Sequence, residues 1–397
     1  MKACFEGHTM KVLMAESSPN WGGQQYRLVR EALWLLEHGH NVLVVCGSRS
    51  DLAAHLRQHA PRIPRQEVRT WGGVAGLLEF FWKVNRWNPD VIHTRSGQAA
   101  LWASLLHVSG WNVVRSRHMT LPSRMPLREK LLFRSGCARV IASADFIKKD
   151  LTVLAGVPES RVDVSGEGVD LREFHPGMNG SGLRAELGVP PDSPLFGLVA
   201  IVRGEKGHKH FVNAAAEVLK KLPSAHFVIV GDGRPDRMER LRRRVREKFP
   251  QQPSQVILAG YRENVPEVMA ALDVLVVPSL KEAQTIVIPQ AFATGKPVIA
   301  SLVGGIPEIV RHGENGFLVT AGDEQGLAAA MVQLAESPDL CRRLGDAALE
   351  LARRTLTFDS KMELLLASYR KAMSRSSTEA APKHQKNGGD QGAATTS

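Results

Sequence analysis

The chain has 397 residues, enough for two domains that each build a core. Hydrophobic residues make up 43% and charged residues 23%, an ordinary globular balance, and no window approaches the roughly 20 apolar residues of a membrane-spanning helix. The net charge of +11 points to an anionic partner, whether nucleotide phosphate, nucleic acid or a membrane surface.

In chain order, Met1–Met10 fits no element and reads as an extension. Short apolar runs at Lys11–Ala15, Asn41–Cys46, Val91–His93, Asn112–Arg115, Arg139–Ala142 and Arg161–Ser165 predict strands. Amphipathic stretches such as Gln24–His38 and Ala144–Leu154 predict helices between them. The Pro/Gly-rich stretch His175–Pro194 reads as a linker. A second series of strands follows at Leu195–Ile201, His226–Val230, Val256–Leu258, Val274–Val277 and Pro297–Ser301. Asp359–Met373 is amphipathic, and the polar tail from Ser374 reads as disordered.

This βαβ alternation, occurring twice, implies an α/β protein of two facing, doubly wound parallel-sheet domains. A ligand is expected at the carboxyl ends of their strands. The N-terminus lacks the layout of a secretory signal. Cys4, Cys46, Cys137 and Cys341 lie far apart without a CxxC pair, which argues against a zinc site and suits a reducing cytoplasm.

The loops at the strand ends carry the candidate chemistry. "ESSPNWGGQQ" places Gly22 and Gly23 at a helix start, where backbone N–H groups can approach an anion or simply form a tight turn. No GxGxxG is present, so the dinucleotide fingerprint is missing. "VRGEKGHKHF" puts Arg203 and Lys206 at a strand end before a helix, a pattern that suits a diphosphate but also fits a solvated basic turn. Gly231 in "VGDGRPD" and Tyr261–Arg262 in "GYRENVPE" can bring backbone close to a ring or sugar. In "VVPSLKEAQTI" a lone carboxylate, Glu282, precedes Thr285 and Ile286, which are predicted in the first turn of a helix whose amides favour phosphate. A carboxylate there would repel phosphate and is better used on hydroxyls attached to it. A nucleotide sugar meets both demands.

The order of these motifs resembles the retaining, GT-B-fold glycosyltransferases of family 4, the group 1 transferases. The matching pieces are "WGGQQYRLVREALWLLEHGHNVLVV", "PDVIHTR", "RSRHMT" and "ADFIKKDLTVLAGVPESRVDVSGEGVDLREFHP", then "VRGEKGH", "FVIVGDG", "VPSLKEAQTIVIPQAFATGKPVIASLVGGIPEIV" and "GENGFLV". They span roughly Lys11 to Arg370. The "WGGQ" and "RSRHMT" forms are similar to those of bacterial lipopolysaccharide and cell-surface glycan transferases.

The resemblance implies an acceptor domain at 11–178, a linker at 179–194 and a nucleotide-sugar domain at 195–357. It also implies a crossover helix at 358–373 that returns to the first domain. Gly23 would offer its amide to the donor diphosphate, and Arg203 and Lys206 would neutralise it without a metal or other cofactor. Glu282 would bind sugar hydroxyls, with the amides of Gln284, Thr285 and Ile286 helping. His118 would lie near sugar and acceptor, and the nucleoside near Tyr261–Arg262.

Three departures stand out. The family's second acid is Gln290 here; an amide accepts from one ribose hydroxyl and donates to the other. The Arg203–Lys206 spacing is shorter than the commonest family form. Glu167 replaces the usual Asn of an "NGVD" turn and reads as a local change without catalytic meaning.

Plainer roles are expected elsewhere. Arg237–Lys248 reads as the solvated face of a packed helix rather than a nucleic-acid patch, because Met238, Leu241 and Val245 recur at helical spacing. His208 and His210 lack a third metal ligand, and His93 suits a structural or acceptor-side role. From Leu101 to Asp150 nine basic residues face three acids, interleaved with Leu127, Leu131, Leu132 and Phe133. These apolar residues are either core or part of a surface for an anionic membrane.

The expected activity is sugar transfer from a nucleotide-sugar donor, a UDP-linked sugar being one candidate. The expected acceptor is a glycan or glycolipid of bacterial lipopolysaccharide or surface polysaccharide, met in the cytoplasm or at the cytoplasmic face of the inner membrane. Two alternatives stay open: a nucleotide-sugar-binding partner subunit, suggested by Gln290, and a GT-B sugar-nucleotide epimerase, disfavoured by the string from Gly295 to Val319.

Overall fold

The computed structural model describes residues 9–122, 124–251 and 253–379. Most of the expected extension and tail therefore lie outside the described residues.

Thirteen strands are present among these: β1 Lys11–Glu16, β2 Asn41–Gly47, β3 Arg65–Val68, β4 Val91–Thr94, β5 Val113–Arg117, β6 Arg139–Ala142, β7 Val162–Val164, β8 Leu195–Val199, β9 His226–Val230, β10 Val256–Gly260, β11 Val274–Val277, β12 Val298–Ser301 and β13 Gly316–Val319. They form two parallel sheets, ordered β3-β2-β1-β4-β5-β6-β7 and β10-β9-β8-β11-β12-β13. The first two strands run in simple register, Lys11 opposite Asn41 and Glu16 opposite Cys46.

Both faces of each sheet are covered, which is why the central strands read as unbroken apolar runs. Side chains alternate between faces. Leu13, Ala15, Leu43 and Val45 pack under helices Gly73–Trp87, Gly97–Val108 and Asp145–Ala155. Val12, Met14, Val42 and Val44 pack under helix Gly23–Glu37 and, from the far end of the chain, helix Phe358–Glu379. That last helix is the crossover. Met362, Leu365, Leu366 and Tyr369 are buried in the first domain's core, and Trp34 Nε1 donates to Asp359 at 2.6 Å. The architecture is GT-B: two Rossmann-like domains and a helix that returns.

Several elements differ from expectation. β3 and β13 are additional strands. The stretch expected as a linker holds a short helix, Ser181–Glu186, whose Leu183 joins Val189 in the second domain's core, because those apolar residues are close enough to its edge to be buried. Met10 is buried rather than part of a free extension, and the last helix continues past Met373 to Glu379. The next helix after Glu282 is Val287–Ala293, with Ile286 as its N-cap, so Thr285 and Ile286 precede it rather than forming its first turn. Pro289 explains this: its ring would meet the carbonyl of Thr285 if the helix began earlier, and it is tolerated only in a first turn. No described helix is long and apolar enough to cross a membrane.

Candidate active site

In the second domain, β8 leads through Arg203 into a single 3-10 turn, Gly204–Lys206. Gly207 follows at φ 73, where a Cβ would stand 1.8 Å from the carbonyl oxygen of Pro278. Only glycine lets these two loops touch. Their contact brings Lys206 onto Glu282: Nζ donates to Oε2 at 2.5 Å, and Ser279 Oγ donates to the same oxygen at 3.3 Å. Glu282 Oε1 has no hydrogen-bond partner among the described residues. The carboxylate that looks solitary in sequence is half of an ion pair. Lys206, Pro278, Ser279, Glu282, Thr285 and Val287 line a small hollow around it. Arg203 stands apart, half-exposed and 3.9 Å from Glu205.

Other expected residues are placed differently. Gln284 turns to the domain boundary, where its Oε1 accepts the N–H of Glu167; its neighbour Ala283 is buried in the first domain's core and carries it there. The N–H of Gly231 is taken by the carbonyl of Gly260 at 2.7 Å, so that amide is spent within the sheet. Arg262 folds back onto Glu186 at 2.6 Å, while Tyr261 projects beside it, 72% exposed. Gln290 is buried with its Oε1 unpartnered.

In the first domain, Gly22 is the extended N-cap and Gly23 the first residue of a helix that runs to Glu37; both glycines are exposed. Buried Glu16 pins the preceding loop, accepting Ser18 N–H at 2.7 Å and Gln24 Nε2 at 2.5 Å. His118 directly follows β5, and neither of its buried ring nitrogens has a partner. Burial, with the charges of Arg27, Arg95 and Arg117, holds its pKa well below 6.5, so the ring is neutral near pH 7.

A buried ionic network lies on the same side. Arg27 Nε donates to Glu31 Oε1 at 2.6 Å, Arg95 donates to Glu31 Oε2, and Arg27 NH1 donates to Glu167 Oε1 at 3.1 Å. Sequence reasoning missed Arg27, Glu31 and Arg95. The signal was present in part: Arg27 and Glu31 are one turn apart and border the buried stripe Leu28, Ala32 and Leu35. Glu167, expected as a local change, is bonded into this network. Among the expected residues, then, the structure joins Lys206, Glu282 and Thr285 around one hollow and leaves His118 on the opposite domain.

Residues 193–337 match the family model for glycosyl transferases group 1, and residues 21–173 match that for Glycosyltransferase Family 4. The chain belongs to the group 1, family 4 glycosyltransferases. It is 29% identical over 347 residues to a D-inositol 3-phosphate glycosyltransferase from Nocardia farcinica, covering 82% of this chain and 73% of that protein. Among solved structures it is similar to Anabaena Alr3699/HepE in complex with UDP, with 22% identity, a TM-score of 0.81 and coverage of 91% of this chain and 100% of that one. It is also similar to the apo lipopolysaccharide outer core galactosyltransferase WaaB, with 15% identity, a TM-score of 0.69 and coverage of 90% and 99%. At these identities the two structures speak for the fold, and the family carries the general activity: this is a glycosyltransferase.

Proposed function

We propose that this glycosyltransferase is a retaining, metal-independent enzyme that takes its sugar from a UDP-linked donor and adds it to a glycan or lipid-linked acceptor of a bacterial surface polysaccharide or lipopolysaccharide. One observation carries the reading: the Lys206–Glu282 pair, with Glu282 Oε1 unclaimed and the exposed Arg203 nearby in sequence, at the carboxyl ends of β8 and β11. A diphosphate competes with Glu282 for Lys206 and recruits Arg203, while Glu282 Oε1 accepts from a sugar hydroxyl. The Gly23 amide faces the diphosphate from the other domain, and the loop amides of Gln284, Thr285 and Ile286 line the sugar side.

Retention follows from front-face substitution. The bond from the anomeric carbon to the diphosphate oxygen breaks, leaving its electron pair on phosphate, where Arg203 and Lys206 offset the growing charge. The acceptor hydroxyl oxygen bonds that carbon on the same face and passes its proton to the departing phosphate. Nucleoside diphosphate and a glycoside of unchanged configuration result. Neutral His118 has one N–H and one lone pair to orient sugar or acceptor. Tyr261 and Gln290 serve the nucleoside. HepE was solved with UDP, so UDP and UDP-sugars are the first probes. Release of UDP with a retained anomer, insensitive to chelator, is expected; tight binding without turnover would instead favour the non-catalytic partner subunit.

The acceptor is met at the cytoplasmic membrane face. Of helix Leu127–Arg134 only Phe133 is buried, with Leu127 at 71% and Leu131 at 52% exposure. Trp82 on helix Gly73–Trp87 is 55% exposed, with Lys83 and Arg86 over its ring. Basic residues at an anionic leaflet contribute roughly 1 kcal/mol each, screened by salt. Binding to anionic vesicles should weaken with salt and on charge reversal at Arg128, Lys130 and Arg134. Equal partitioning onto neutral vesicles would defeat this part.

A further inference from the structure

The chain leaves the first domain through Ser165–Val169 and re-enters it through Leu356–Phe358. The two passages lie side by side: Val169 N–H donates to Leu356 O, and Phe358 N–H donates to Val169 O, both at 2.8 Å. The outgoing passage reads Ser-Gly-Glu-Gly. A Cβ on Gly166 would come within 2.4 Å of Gln284 Oε1, and one on Gly168 within 2.9 Å of Phe358 Cα. The glycines thus permit close contact on both sides, and Glu167 lies between them.

Glu167 has two contacts in opposite directions. Its N–H donates to Gln284 Oε1, two residues from Glu282. Its carboxylate accepts from Arg27 at 3.1 Å, one helical turn beyond Gly23. Arg27 also donates to the carbonyl of Ser165 at 3.2 Å, so the guanidinium clasps the passage itself. Charge explains why the residue is acidic. Side-chain exposures are 7% for Arg27, 2% for Glu31, 0% for Arg95 and 15% for Glu167. Two buried guanidiniums face Glu31, the Glu167 carboxylate brings these four residues to neutrality, and Lys361 adds a further positive charge that this carboxylate faces. A neutral residue would leave a buried positive charge uncompensated, which is strongly unfavourable.

We propose that Glu167 is a positioning residue for sugar transfer, linking the helix that opens at Gly22–Gly23 to the Glu282 loop across the interdomain passage. It touches no reacting atom. It keeps the two halves of the donor site at one spacing, and the proposal rests on the reading that these loops hold the donor.

The test compares E167Q and E167D with wild type by turnover, UDP affinity in calorimetry, thermal unfolding and amide exchange with UDP bound. E167Q should lower kcat on the order of tenfold, while UDP affinity changes less than about twofold because Arg203 and Lys206 are untouched. E167D should recover most of the loss. Exchange at 165–168 and 283–286 should speed up in E167Q, and Q284A should add little further loss in that background. Unchanged kcat in E167Q at equal folded fraction would overturn the proposal, as would equal losses in E167Q and E167D that follow thermal stability alone. Should wild type turn over no donor, the functional reading fails separately, and equal exchange protection in wild type and E167Q would still overturn this one.

Discussion

The two sides of the candidate site carry their charges in opposite ways. On the N-terminal side Arg27, Glu31 and Arg95 are buried and, with Glu167 at 15% side-chain exposure, bonded into one network. On the C-terminal side Lys206 and Glu282 form one pair, at 22% and 10% side-chain exposure, and Arg203 is half-exposed. Charges out of water hold their geometry because every alternative leaves one unpaired. A single pair with one carboxylate oxygen unclaimed can exchange its partner for an incoming ligand without breaking a wider network. On the proposed function, the first side is a frame and the second a receptor.

Breaking the frame should have the largest effect. Glu31→Ala leaves two buried guanidiniums with Glu167 alone, and loss of one partner from a buried pair costs about 3–5 kcal/mol. Urea unfolding should show that loss, whereas Glu282→Ala should cost less, because Lys206, at 22% side-chain exposure, keeps access to water when its partner is removed. Comparable destabilisation by the two changes would erase the contrast.

The receptor should reveal itself in rate. Glu282→Ala is expected to lower turnover at least ~100-fold, about 2.7 kcal/mol of transition-state stabilisation, in a folded protein. Lys206→Ala combined with it should cost less than the sum, since each removes the other's partner. Near-normal transfer by Glu282→Ala would take the carboxylate out of the site.

Acid should loosen the receptor side as well. His208 follows the Lys206 turn and is buried; burial, aided by the Lys206 charge, lowers its pKa to about 4. The unfolded chain keeps an ordinary value near 6.5 and takes up a proton first. Stability from this group is therefore full above 6.5 and is lost as pH falls towards about 4, by about 3 kcal/mol. His208→Leu should flatten the fall in melting temperature over that window. An unchanged slope would show that other groups set it.

Legibility in the sequence follows the same division. Central strands such as β1 and β2 declare themselves because both faces are buried and their interior positions are apolar. β3 is Arg-Gln-Glu-Val at the sheet edge, with no apolar run to find, and β13 is a four-residue strand behind a turn. Glu282 and Lys206 each stand out as motif residues, but their pairing spans 76 positions and depends on Gly207 meeting Pro278. The buried network was hidden for a different reason. Charged residues on an amphipathic helix ordinarily mark its wet face, and only the fold shows Arg95 arriving from β4 to cover Glu31.

The smallest effect is expected at Gln290. Its amide is buried on helix Val287–Ala293 with Oε1 unpartnered, so the free protein leaves an acceptor idle behind the Glu282 loop. If ribose hydroxyls meet it, Gln290→Glu replaces a neutral acceptor by a charged one, and hydrogen bonds to charged groups are stronger by roughly 1 kcal/mol. UDP should then bind equally well or up to about fivefold more tightly. Without ligand the new carboxylate is buried and unpaired, so the free variant should melt below wild type, and UDP should raise its melting temperature by more than it raises that of wild type. Calorimetry and thermal unfolding in parallel separate the two contributions. A variant that loses UDP affinity would place the ribose away from position 290, and one that melts like wild type with or without UDP would mean that the side chain turns out to solvent.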